Sequence, residues 1–287
     1  MVKPRIRLVV SDLDNTLYDW VTFFVGSFYE MLRVAASHLG IPEDQLANEM
    51  KAVHQRHHNS EQPFGLLEAA SVVQRYGHLD RKGIADAMDE AFHAFNSKRK
   101  ELLCLYPGVS DGLARLRGIA HVVGHTEATV PNARFRLRAL GIGAALEKLY
   151  AVEPSGEGHP DPTRADPDEG STLLVRYLSH DERKPDPRVL ADICADFAVT
   201  PGQTLYVGDS IARDIGMAKE AGVWSAWAKY GTRYDTSAWD RLVKVTHWTA
   251  EDVQRAETAR VRYGSTKPDV ILENSFLELF DHFDFRA

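Results

Sequence analysis

Cysteine is nearly absent: there are two in 287 residues. Cys104 and Cys194 stand far apart, and neither belongs to a C-x-x-C pair. A disulfide framework and a thiolate zinc site are both excluded, and the two read as reduced structural thiols. Long apolar runs are missing too, and none approaches the ~20 residues of a membrane span. The basic N-terminus, Met1-Val2-Lys3-Pro4-Arg5, leads into an apolar run of only about five residues, shorter than a signal-peptide core of roughly 7–15. The chain therefore reads as cytoplasmic. Positive charge is not in surplus, since 34 Lys and Arg face 41 Asp and Glu for a net charge of −7. That balance argues against general affinity for a nucleic acid polymer or an anionic membrane. There are no internal repeats. An ordinary globular composition is left, with enough apolar material for the core of one large domain or two smaller ones.

Within that composition one stretch stands out, Val9-Val10-Ser11-Asp12-Leu13-Asp14-Asn15-Thr16-Leu17. The short β-branched run 6–10 predicts a buried parallel strand. It ends in two carboxylates spaced i, i+2, with a hydroxyl two residues on. Open α/β sheets place ligands at strand carboxyl ends. Two acids this close repel unless a cation or a proton separates them. Turn capping by Asp12 and Asp14 is the competing explanation, because Asp and Asn are common in turns. The rest of the chain has to decide between the two.

After Leu17 the spacing of Phe23, Phe24, Phe28, Met31, Leu32 and Ala35 predicts a helix that Gly40 and Pro42 end. Only helical signals follow to about residue 103, an inserted block of roughly 85 residues. A helix is then expected over 109–117 and a second strand over 119–124, ending in His125-Thr126-Glu127. Further expectations are a helix over 132–140, a strand over 149–152, a helix over 171–178 and a helix over 188–197. Strands at 204–207 and 223–227 flank a helix containing Asp214, Met217 and Ala218. The segment 153–170, rich in Pro and Gly, reads as a long loop. The segment 229–267 is polar, with one helix over 250–262. A short strand at 270–272 and a helix over 275–283 close the chain. Strand–helix alternation after residue 119 predicts an α/β fold, a Rossmann-like doubly wound parallel sheet. The expected domains are a core of 1–17 and 106–287 and an all-helical insertion of 18–105.

Polar groups thus end several strands or begin a helix: Asp12 and Asp14, Thr126, Lys184, and Asp209 with Asp214. The set resembles the haloacid dehalogenase-like hydrolase superfamily. Its D-x-D-x-T motif is matched by Asp12-Leu13-Asp14-Asn15-Thr16. Its apolar strand ending in Ser or Thr is matched by Val122-Val123-Gly124-His125-Thr126. Its lysine motif is matched by Lys184-Pro185-Asp186-Pro187, and its G-D-S motif with a later Asp by Gly208-Asp209-Ser210 and Asp214. The helical insertion resembles the family's C1-type cap. Segments 153–170 and 229–267 depart from the family's pattern by their length.

The resemblance implies a phosphatase working through an aspartyl-phosphate, with Asp12 as nucleophile. Asp14 would be general acid to the leaving group, then base for water. Thr126 and nearby N–H groups would hold phosphoryl oxygens, and Lys184 would neutralise charge on Asp12 and the transferred group. An all-oxygen set of carboxylates points to Mg²⁺. By resemblance the Asp12 carboxylate, the Asp14 carbonyl oxygen and the Asp209 carboxylate bind the ion, and Asp214 orients Lys184 or a metal-bound water. Ser210 either caps the next helix or touches the ion's surroundings.

The expected partner is a small phosphorylated metabolite. Sugar phosphates, phosphoglycolate and nucleoside monophosphates all stay open. The alternatives are a 2-haloacid dehalogenase, which Asp14 opposes because the family's dehalogenases have no acid there, a phosphomutase, and a non-catalytic phosphate-binding module. His54, His57 and His58 lack a matched fourth ligand and read as a solvated helix end. Trp224, Trp227, Trp239 and Trp248 read as packing. Tyr18, Trp20, Phe23 and Phe24 either face the site or fill the core of the helical block.

Overall fold

The computed structural model describes residues 3–62, 64–154, 158–161, 163 and 171–286. Most of the predicted loop 153–170 lies outside the described residues. Seven parallel strands form one sheet: β2 (Leu8–Ser11), β3 (His121–Thr129), β4 (Lys148–Val152), β5 (Leu174–Leu178), β6 (Thr204–Gly208), β7 (Trp224–Ala228) and β8 (Val270–Leu272). Their order is β5-β4-β3-β2-β6-β7-β8, with every pair parallel. A separate parallel pair joins β1 (Arg5–Ile6) to β9 (Asp284–Phe285). The acidic strand β2 is central, and the strand order reverses beside it, where open α/β sheets form their ligand crevice.

Both faces of the sheet are covered, as its apolar strands require. Val9, Val122 and Leu149 point into one core with α6 (Val109–Leu116), α7 (Val130–Ala139) and α12 (Leu279–His282). Leu8, Val10, Val123 and Tyr206 point into the other with α8 (Pro187–Asp196) and α9 (Gly216–Glu220). Successive residues of β2 thus alternate between two cores, the period-2 geometry of a strand.

Among the described residues five α-helices occupy the insertion: α1 (Trp20–Leu39), α2 (Glu43–His57), α3 (Ala70–Tyr76), α4 (Arg81–Ala87) and α5 (Asp89–Leu102). They have their own core around Phe24, Phe28, Leu32, Leu46, Met50 and Val53. The chain leaves and returns side by side, with Tyr18 bridged to both Asp14 and Leu105. Two helices fill the segment after β7, α10 (Thr236–Val245) and α11 (Ala250–Tyr263). Leu242 and Val245 of α10 are buried in the core of the helical block, not in that of the sheet.

Three expectations need correction. The predicted helix 171–178 is edge strand β5: Leu174-Val175-Arg176-Tyr177-Leu178 has strand-forming Val and Tyr, and only Leu178 is buried. The segment 229–267 holds two helices, because Asp235 caps a first one by accepting the Ser237 N–H at 2.6 Å. The closing helix is one 3₁₀ turn followed by α12 alone.

Candidate active site

Asp12 is the first residue after β2, and its N–H still donates to the Val207 carbonyl of β6 at 2.9 Å. That bond carries the strand's direction one residue past the sheet. The chain then turns through Asn15, whose φ of 57° is left-handed, a conformation Asn tolerates. Asn15 Oδ1 accepts the N–H groups of Trp20 and Val21 at 3.1 and 3.3 Å, tying the acidic turn to the start of α1. Thr16 donates its hydroxyl to Asp12 Oδ2 at 2.9 Å. The opposite wall is the 229–232 loop, where Tyr230 donates to the Thr16 carbonyl at 2.8 Å. A Cβ at Gly231 would lie 1.6 Å from the Asn15 carbonyl oxygen, so only glycine fits there.

Lys184 enters just ahead of α8, is buried, and donates to Asp12 Oδ1 and, at 2.9 Å, to Asp214 Oδ1. Asp214 lies in the π-helical turn Ile211–Ile215. It also accepts from Tyr206 at 3.2 Å and from the Ser210 N–H at 3.0 Å. The carboxyl is packed so closely on β6 that a Cβ at Gly208 would lie 2.5 Å from it. Ser210 accepts the Arg213 N–H at 3.2 Å, so it caps the following turn. Asp209 gives its carbonyl oxygen to Trp227 Nε1 at 2.7 Å. Asp12, Asp209 and Asp214 each offer a carboxylate oxygen within 4.8 Å of the others.

Burial pushes the Asp12 carboxyl up to about 7; Lys184 opposes the rise, and Asp214 and Asp14 add to it. Burial also raises Asp209 well above the carboxylate range, with Asp214 and Asp12 reinforcing it. For Lys184 burial works the other way, but Asp12 and Asp214 hold its ammonium well above the ordinary value. The pocket is therefore an acid cluster with one buried cation, short of positive charge. An all-oxygen donor set of this kind fits a hard divalent cation such as Mg²⁺. Asp214 carries three donors, Lys184, Tyr206 and the Ser210 N–H, and so fits best as the acid that holds Lys184, which leaves Asp12 and Asp209 as the ligands.

Asp14 sits apart from these three acids. Its Oδ1 accepts from Arg136 Nη1 of α7 at 2.7 Å. Arg136 is 1% exposed, and its other amino group donates to Glu61 of the helical block. Neither Arg136 nor Glu61 was singled out from sequence. One signal was available: in a helix starting at Val130, Arg136 falls on the stripe of Ala133, Leu137 and Leu140, and a charge on a buried face needs partners.

Thr126 lies two residues beyond Gly124, which pairs with Ser11, so it reaches the same sheet end as Asp12. The β3–β4 register shifts between His125 and Thr129, the stretch that holds Thr126. Its hydroxyl accepts the Ala128 N–H at 3.1 Å. Of the three histidines read as a solvated end, His58 is exposed, but His54 is buried and hydrogen-bonded to the Val245 carbonyl at 2.5 Å, and His57 pairs with Glu68 at 2.8 Å. Tyr18, Phe23 and Phe24 are buried, and Trp20 is half-buried.

A family model described as haloacid dehalogenase-like hydrolase matches residues 6–166, and a HAD-hydrolase-like model matches residues 182–256. The chain belongs to the haloacid dehalogenase-like hydrolases. It is 29% identical over 233 residues to a phosphoglycolate phosphatase of Pseudomonas putida, covering 78% of this chain and 70% of that one. It is also similar to a solved 2-haloacid dehalogenase from Pseudomonas syringae pv. tomato, with a TM-score of 0.52 and 20% identity over 96% and 97% of the two chains. A further likeness is to a predicted phosphoglycolate phosphatase from Haemophilus somnus, with a TM-score of 0.49 and 18% identity over 96% and 97%. The solved dehalogenase shares its overall fold with this chain. Among the described residues no helix is long and apolar enough to cross a membrane.

Proposed function

We propose that this hydrolase is a Mg²⁺-dependent phosphatase that cleaves small phosphate monoesters through an aspartyl-phosphate on Asp12. One observation carries the reading: a buried Asp12 gripped by Lys184 beside Asp209 and Asp214, with a second acid, Asp14, two residues on. Asp12 attacks phosphorus as the ester P–O bond breaks, and Asp14 gives its proton to the departing oxygen. Water then attacks the acyl-phosphate phosphorus with Asp14 taking its proton, which frees Asp12 and phosphate. Lys184 and the Thr126 segment hold charge on the transferred group. Asp12 and Asp209 would hold the ion, with the Asp14 carbonyl oxygen, while Asp214 orients Lys184. When bound, Mg²⁺ supplies the charge neutralisation that lets one anion approach another. A 2-haloacid dehalogenase needs no proton at the leaving halide, so it gives Asp14 nothing to do.

The helical block, residues 18–105, serves as the cap that selects substrate over the core of 1–17 and 106–287. The substrate is a free small molecule, with no nucleic acid polymer or membrane involved. The test is a panel of p-nitrophenyl phosphate, phosphoglycolate, sugar phosphates and nucleoside monophosphates, assayed with Mg²⁺, with EDTA and with Asp12→Asn. Turnover that requires Mg²⁺ and vanishes in Asp12→Asn is expected. Halide release from a 2-haloacid, with no ester cleaved, would overturn it.

A further inference from the structure

Arg136 is a buried cation between two carboxylates, one from each side of the cleft. Nη1 donates to Asp14 Oδ1 at 2.7 Å, and Nη2 donates to Glu61 Oε1. Trp20 Nε1 donates to the same Glu61 oxygen at 2.9 Å. The guanidinium also lies 5.8 Å from the Tyr18 ring and 5.5 Å from the Phe23 ring. Arg136 Nη1 also donates to the Tyr18 hydroxyl at 3.5 Å. Burial and the Asp14 charge raise the Glu61 carboxyl, and Arg136 opposes them.

Glu61 sits in a short segment held by the core from two directions. Its carbonyl oxygen accepts from Asn132 Nδ2 of α7 at 3.0 Å. The neighbouring Ser60 bonds His247, between α10 and α11, through its hydroxyl at 2.8 Å, and accepts the His247 N–H at 2.9 Å. The segment between α2 and α3 therefore meets the core at the side chain that grips Asp14.

We infer that Arg136 is a positioning residue for Asp14 and that Glu61 sets Arg136, so that Asp14 faces the leaving group only while the 59–61 segment is seated. The inference rests on the phosphatase reading. It adds that readiness of the acid depends on docking of the helical block. A guanidinium with one carboxylate partner can swing with it; one fixed by two carboxylates, with aromatic rings beside it, cannot. Replacing Arg136 and Glu61 together by packed apolar residues costs less stability than removing either one alone.

The test compares kcat/KM on p-nitrophenyl phosphate, whose leaving group needs no proton, with kcat/KM on an alkyl phosphate, whose leaving group does. Asp14→Asn sets the scale. The variants are Glu61→Gln, Arg136→Lys and the packed double change Arg136→Met with Glu61→Leu. Mg²⁺ affinity by calorimetry and thermal unfolding confirm that the site and the fold survive. If the double variant does not fold, Glu61→Gln alone decides. Misplacing the acid lowers the alkyl-to-aryl ratio of kcat/KM by about tenfold to a hundredfold. Equal losses on both esters, with Mg²⁺ affinity kept, would make Arg136 and Glu61 structural only and overturn the inference. Absence of any phosphatase activity in the unaltered protein would instead defeat the phosphatase reading, and the inference with it.

Discussion

Asp12 and Asp209 share an electrostatic problem that sets the response to pH. The Asp12 carboxyl, ordinarily at 3.8, is raised by burial to about 7, and Asp209 moves in the same direction. Between those values the folded protein keeps a proton that the unfolded chain has released. Metal-free stability therefore falls as pH rises from about 4 to about 7, by up to about 1.4 kcal/mol per pH unit for Asp12, and Asp209 acts in the same direction. We expect Mg²⁺ to raise the melting temperature more at about pH 7.5 than at about pH 5.5, and Asp209→Asn to flatten the metal-free slope. A melting temperature insensitive to Mg²⁺ at both values would contradict this. Lys184→Met strands Asp12 and Asp214 without their cation, a loss of about 3–5 kcal/mol measurable by urea unfolding of the metal-free protein. These acids and the lysine were legible because each follows a strand or precedes a helix. Arg136 and Glu61 were not, since a helix over 132–140 does not say which carboxylates, from segments far apart in the chain, will meet its buried arginine.

Strands were legible where both faces of the sheet are buried and at edge strand β8, but not at the opposite edge. The central strands announce themselves as short β-branched runs between turn residues. Edge strand β5 does not, because its alternation is half-exposed and a helix template fits the same letters. The α10 helix was missed for a related reason. It is amphipathic, but the sequence does not say which core its apolar face joins, and here it joins the helical insertion, 200 residues earlier in the chain. Tyr29 donates its hydroxyl to the Arg241 carbonyl at 2.9 Å, and His54 bonds Val245. Leu242→Ala should cost about 2–5 kcal/mol, read as a lower urea midpoint, because the site it empties is fully enclosed. A cost under about 0.5 kcal/mol, ordinary for a surface position, would mean that α10 is not seated on the insertion.

At the scale of the molecule, the sheet and the helical block have separate hydrophobic cores, joined by two chain segments bridged at Tyr18 and Leu105 and braced by α10. On the proposed phosphatase reading, closure of one body over the other would exclude water during phosphoryl transfer. A brace packed into the block must travel with it or hold it shut. The amides of α10 should therefore exchange with solvent in step with those of α1 and α2; exchange in step with β6 and β7 would assign α10 to the sheet instead. The central claim is chemical: Asp12 takes the phosphoryl group. Acid-quenching the protein during turnover of a phosphate ester, then sequencing its peptides by mass spectrometry, tests this most directly. We predict a phosphoryl group on the Asp12 side chain, absent when Asp12→Asn is treated in the same way. Phosphate release with no label on Asp12, or with the label on another residue, would contradict the account.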